Sequence, residues 1–119
     1  MKALLAIALF CTAFGTSAHA AENRCGWLQN PTPGNYWLDD ADGSWTIITQ
    51  GGGSEPEGMD LIPDLSEGEY VQTNGSYGYA CACMTVTTDD DEGRIVQIFS
   101  VRQLRIAKCR NDGNLSQPD

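Results

Sequence analysis

Apolar and polar positions alternate most clearly near the C-terminal end of the chain, where they predict two strands. From Tyr79 to Thr88 one face carries Tyr79, Cys81, Cys83, Thr85 and Thr87, and the other Ala80, Ala82, Met84 and Val86. The first half is apolar on both faces, as in a central strand covered from both sides. From Arg94 to Arg102, Ile95, Phe99 and Val101 set against Val96 and Ile98 make the same case for a neighbour. Asp89-Asp90-Asp91-Glu92-Gly93 joins the two as a hairpin turn. Aligning Thr88 with Arg94 places Cys83 opposite Phe99 and Cys81 opposite Val101.

Upstream, Tyr36 to Asp39 and Ser44 to Gln50 read as a second hairpin, closed by Asp40-Ala41-Asp42-Gly43. Trp45, Ile47 and Thr49 alternate there with Thr46 and Ile48. Asn30-Pro31-Thr32-Pro33-Gly34-Asn35 is a turn-rich loop that cannot be helical. Gly51 to Glu69 has no sustained period and reads as a surface loop. Tyr70 to Thr73 is a short strand, Asn74 to Gly78 a turn, and Gln103 to Cys109 a short helical turn. No internal repeat or second domain shows. The expected fold is mainly β: one small antiparallel sheet of about 4–6 strands.

The N-terminus changes the picture. Lys2, the apolar run Ala3 to Phe14 and the small-x-small site Ala18-His19-Ala20 predict a secretory signal over residues 1–20. The run is short of the about 20 residues that span a bilayer, so stable membrane insertion after cleavage is not expected. Cys11 lies inside the run, behind the bulky Phe10, and is lost with the leader rather than lipidated. A single mature domain over residues 21–119, periplasmic or secreted, is the expectation.

Four cysteines remain: Cys25, Cys81, Cys83 and Cys109. An even count in a short exported chain implies disulfides. On a strand, Cys81 and Cys83 point the same way about 6.5–7 Å apart, too far to bridge each other. Two pairings remain. The hairpin alignment puts Cys109 nearer Cys81 and favours Cys25–Cys83 with Cys81–Cys109 over Cys25–Cys81 with Cys83–Cys109. Structural zinc sites use two-to-four-residue spacers, so one-residue spacing argues against zinc. A redox-active pair is disfavoured because Cys25 and Cys109 stand ready as structural partners.

Charge sets further bounds. The chain has 7 basic and 16 acidic side chains, net −9. Loss of Lys2 leaves 6 against 16, or −10. Nucleic acid, which needs a basic footprint, is excluded as a partner, and anionic membrane surfaces are disfavoured. A basic envelope protein is the partner such charge would favour, although solubility alone explains it.

The sole histidine, His19, lies in the leader. The mature chain therefore has no Ser-His-Asp or Cys-His nucleophile pair and no histidine metal site. Gly51 to Gly53 lacks the Lys-Ser/Thr continuation of a phosphate loop. Lys108, the one mature lysine, reads as a solvated side chain. No cofactor is implied and no catalytic residue stands out. A pair of carboxylates could still support hydrolysis, but the small size argues against a deep cleft. Asp40/Asp42 and Asp89–Glu92 could bind calcium, yet both fall where turns are expected. Surface aromatics and amides offer a candidate recognition patch of Trp27, Asn30, Asn35, Asn74, Tyr77 and Tyr79. The competing reading puts the tryptophans in the core and the asparagines in turns.

The patches Arg24-Cys25-Gly26-Trp27, Asn30-Pro31-Thr32-Pro33-Gly34-Asn35, Asp42-Gly43-x-Trp45-x-Ile47, Gln50-Gly51-Gly52 and Thr73-Asn74-Gly75-Ser76-Tyr77-Gly78-Tyr79-x-Cys81-x-Cys83-Met84 resemble a family of small exported proteobacterial proteins known only as a domain of unknown function. Cys109-Arg110 is similar to its C-terminal element, while Gly53 to Glu69 has no clear counterpart. The resemblance implies a periplasmic, cysteine-bridged domain and no activity. The leading functional expectation is a non-catalytic envelope binding module. The alternatives are a small carboxylate hydrolase, or a structural or stress-related envelope protein without a discrete ligand.

Overall fold

A computed structural model describes residues 20–118; the signal expected over residues 1–20 lies, Ala20 apart, outside the described residues. Six strands form one sheet: β1 (Glu22–Thr32), β2 (Asn35–Asp40), β3 (Gly43–Ile48), β4 (Val71–Asn74), β5 (Tyr77–Asp89) and β6 (Arg94–Leu104). One short helix, α1 (Ile106–Arg110), follows.

The sheet closes on itself. β1, β2 and β3 form an antiparallel meander, and β5 returns by a long connection to lie beside β1. The resulting order β5-β1-β2-β3 is a Greek key. β6 pairs antiparallel with β5 and meets β3 at Thr46–Arg94, completing a five-stranded circuit. β4 shares the β6 edge of β5, pairing with Tyr77 to Tyr79. The expected antiparallel sheet is thus mixed. β3 and β6 both start from turns at one end of the barrel, Asp40–Gly43 and Asp89–Gly93, so where they touch they run parallel.

Gly51 to Glu69 is not a simple surface loop. It seals the seam that β3 leaves along β6. The Ile98 N–H donates to the Glu57 carbonyl at 2.7 Å. The Gln103 amide donates to the carbonyls of Leu65 and Glu69, both at 2.9 Å. Leu65 is buried, and Met59 and Ile62 pack on the barrel core. Met59 and Leu65 sit in two 3-10 turns and Ile62 directly follows the first, and such turns are too short to leave a helical period in the sequence.

Strand β1, unforeseen from sequence, has Gly26, Trp27 and Leu28 buried in succession and covered on both faces. Its pairing with β2 slips between Gln29 and Thr32, where Pro31 has no N–H to give the ladder. Gly26 is forced: a Cβ there would meet the Asp39 carbonyl on the neighbouring strand.

Two cores result. Leu28, Leu38, Trp45, Ile47, Ala80, Ala82, Met84, Val86, Ile95 and Ile98 fill the barrel with Leu65. Outside β1 and β5, Trp27, Tyr79 and Cys81 are covered by Cys109 and Leu115 from α1 and the tail. The disulfides are Cys25–Cys83 and Cys81–Cys109. The first joins paired residues of β1 and β5; the second ties α1 to β5.

The β5–β6 register differs from the simple alignment. Asp89 faces Arg94, Cys83 faces Arg102, and Cys81 faces Leu104. The turn shifts the pairing by one residue, and two bulges add one each. Val96 is unpaired between Thr88–Ile95 and Thr87–Gln97, and Phe99 between Val86–Ile98 and Thr85–Ser100. Cys109 still lies beyond the Cys81 end, so the favoured disulfide pairing holds.

Candidate functional site

The end of the barrel where the β2–β3 and β5–β6 turns meet β1 is densely acidic. Glu22, Asp40, Asp42, Asp89, Asp90, Asp91 and Glu92 gather there around Arg24 and Arg94. Arg24 holds the inner part together. It bridges Glu22 at 2.6 Å, Asp40 at 2.8 Å and Asp42 at 3.0 Å. Its guanidinium carbon lies 4.0 Å over the Trp45 ring, a cation–π contact. Burial acts to lower the Arg24 pKa, but hydrogen bonds to Asp40 and Asp42 and the charges of Asp40 and Glu22 outweigh it and raise the value. Arg24 is therefore a fixed cation within a carboxylate ring.

The turn carboxylates are committed to backbone. One Asp40 oxygen accepts from the amides of Asp42 and Gly43 and from the Trp45 indole, at 2.9–3.1 Å. One Asp89 oxygen accepts from the amides of Asp91 and Glu92, both at 3.1 Å. These are the Asx arrangements expected of tight turns. Among the described residues no group of three or more His, Cys, Asp or Glu is placed to hold a metal ion.

Two clefts flank β6 at this end. One, of about 480 Å³, is lined by Glu22, Thr88, Asp89, Asp90, Asp91 and Val96. The other, of about 340 Å³, is lined by residues including Glu55, Pro56, Glu92, Arg94 and Val96. Val96 belongs to both. Val96 and Phe99 are 44% and 46% exposed, and they are the two bulge residues of β6. Bulges re-aim side chains, so the same irregularities that shift the register turn these apolar groups outward. A strict alternation read from sequence cannot show this.

The six patch residues fall elsewhere. Trp27 and Tyr79 are 0% and 4% exposed and stack edge-to-face, with centroids 5.2 Å apart. Neither ring is on the surface, because α1 and the tail cover that face of the sheet. The amide of Asn30 donates to the carbonyls of Thr32 and Asn35, at 3.0 and 2.9 Å. Asn35 donates to the Thr32 hydroxyl and accepts from the Gln50 amide. Asn74 reaches the Pro31 carbonyl at 3.4 Å, which brings the two loops together. Tyr77 is half-buried nearby. The asparagines thus spend their polar groups on backbone and on the Thr32 hydroxyl at the opposite end of the barrel. Tyr36 and Tyr70 are also at this end; burial first, then the charges of a neighbouring tyrosine and of Asp64, raises both phenol pKa values from 10.0.

Fold and site together define a small disulfide-bridged Greek-key barrel with one strongly acidic end. The sequence model of a family described as protein of unknown function, DUF4087, matches residues 19–116. The chain belongs to that family. No curated protein and no solved structure matches it.

Proposed function

We propose that the protein is a non-catalytic binding module of the cell envelope, and that it takes a cationic protein partner on the acidic end of its barrel. The observation that carries this reading is Val96, an exposed apolar side chain lying between two clefts walled by carboxylates. An apolar centre inside a charged, wet rim is the anatomy of a protein interface. The rim selects sign and speeds encounter, while the centre supplies desolvation. The oxidised cysteine pairs support the compartment.

The test uses immobilised protein spanning residues 21–119 and an envelope extract at low ionic strength. A second column carries the chain with Val96→Ser and Asp89→Asn, Asp90→Asn and Asp91→Asn. Asparagine keeps the turn acceptor at position 89 and removes charge only. A basic protein should be retained by the first column, released by salt near the Debye-screening range of about 0.15 M and above, and lost from the second. Equal retention on both columns, or no basic protein on the first, would overturn the proposal.

A further inference from the structure

A separate cleft of about 290 Å³ opens on the flank of the barrel, between the outer face of β5 and α1. Both disulfides contribute to its wall, along with Leu104 and Leu115. Its charged groups are Arg102, Lys108 and Asp112.

The placement of cations gives this cleft meaning. Arg24 is held by three carboxylates. Arg94 donates to the Ser54 carbonyl. Arg105 pairs with Glu69 at 3.5 Å, and Arg110 lies 5.6 Å from the Trp27 ring centre. Among the described residues, Arg102 and Lys108 are the two cationic side chains with no carboxylate, carbonyl or ring partner, and both line this cleft. Acids outnumber bases 16 to 7 in the chain, so cations lacking an internal anion are unexpected, and two beside one apolar hollow more so.

We infer that this cleft binds a small organic carboxylate. The carboxylate lies between the Arg102 guanidinium and the Lys108 ammonium, where charge-assisted hydrogen bonds form; the planar fork of Arg102 suits both of its oxygens. The apolar body rests on Leu104, Leu115 and the disulfide sulfurs. Asp112 on the same wall repels a second negative charge, which favours a monoanion over phosphate. The volume sits at the lower bound of small-ligand pockets, about 300 Å³, and limits the ligand to a compact acid. This site is independent of the acidic end, and neither reading requires the other.

The experiment is an amide NMR titration of the disulfide-intact chain with three probes: 3-phenylpropanoate, the neutral 3-phenylpropan-1-ol and inorganic phosphate. 3-Phenylpropanoate should give saturable shifts centred on Gly26, Leu104 and Cys109. The alcohol and phosphate should bind at least about tenfold more weakly, since a charge-assisted bond contributes about 1.5–3 kcal/mol. Arg102→Ala and Lys108→Ala should each weaken 3-phenylpropanoate about tenfold by the same reasoning, and Arg105→Ala should leave it unchanged. Both cleft cations are exposed, so the variants keep the fold, which their undisturbed remaining amide shifts will verify. Three results would each overturn the inference: shifts that do not saturate or are scattered over the surface, alcohol binding as tight as acid, or full affinity in the double Arg102→Ala/Lys108→Ala variant.

Discussion

Removing Arg24 should destabilise the fold more than any other loss of an ion pair among the described residues. In Arg24→Ala, Asp40 keeps its turn amides and the Trp45 indole but loses its counter-charge. The side chains of Arg24 and Asp40 are only 12% and 6% exposed, so water compensates little. Breaking a buried pair from one side costs about 3–5 kcal/mol. Glu22 and Asp42 are 42% and 73% exposed and add little, as wet ion pairs do. Loss of the cation over Trp45 adds about 0.5–1 kcal/mol. The working figure is about 3 kcal/mol, the lower bound for a pair that is not wholly dry. With a urea m-value of about 1 kcal/mol/M, suited to a chain this small, the midpoint falls by about 3 M. Equilibrium urea unfolding of the disulfide-intact chain, followed by tryptophan fluorescence, measures it. A double-mutant cycle with Asp40→Asn, which keeps the turn acceptor, should return a coupling of at least about 1 kcal/mol. A loss below about 1 kcal/mol at unchanged m, or no coupling to Asp40, would show that the carboxylate ring is held by its turns and not by Arg24.

Three further outcomes follow from the same structure. By loop closure alone, the 58-residue separation of Cys25–Cys83 should make it the stronger staple, about 4.2 against 3.6 kcal/mol for the 28-residue separation of Cys81–Cys109. However, Cys81 and Cys109 are 0% and 3% exposed while Cys25 is on the surface; Cys81→Ala/Cys109→Ala also empties core volume and should lower the melting temperature more than Cys25→Ala/Cys83→Ala. Gly26→Ala should cost more than about 3 kcal/mol or abolish folding, since β1 and β2 must part to admit the methyl group; a native-like amide spectrum would refute this. Tyr36 and Tyr70 have raised folded-state pKa values, so burial favours the protonated phenol. Their contribution is fully present below pH about 10 and lost as pH rises through the higher folded values. Urea midpoints should therefore fall above pH 10, and Tyr36→Phe should flatten that fall.

The parts of the fold that were legible in the sequence are those whose side chains alternate without interruption. β5 announced itself because both of its faces are apolar, and the structure gives the reason: the barrel core lies on one side, α1 and the tail on the other. The two hairpins of β2–β3 and β5–β6 were marked by Asp-Gly and acidic turns. β1 was not legible, because Asn30-Pro31 and Gly26 look like turn residues until Gly26 is seen against the Asp39 carbonyl. The acidic composition was plain, but its concentration at one end depends on closure of the barrel. The exposed Val96 and Phe99 depend on two bulges: each extra residue shifts the period-two phase, so Ile95 and Ile98, three apart, are both buried where a strict alternation would put them on opposite faces.

Barrel closure and the two disulfides also explain why charge can be distributed so unevenly. The carboxylates gathered at one end repel each other, and the repulsion must be carried by something other than local packing. The Arg24 network offsets part of it. The rest falls on restraints that do not depend on that end: the Cys25–Cys83 bridge, which fixes β1 to β5 in the middle of the barrel, and Cys81–Cys109, which holds α1. Both bridges also form the floor of the flank cleft, beside Arg102 and Lys108. Reduction of Cys81–Cys109 would remove the covalent tie of α1 to β5 and should loosen one wall of the cleft. A domain of this size has a modest core, so the two bridges carry a share of the restraint that both charged surfaces need.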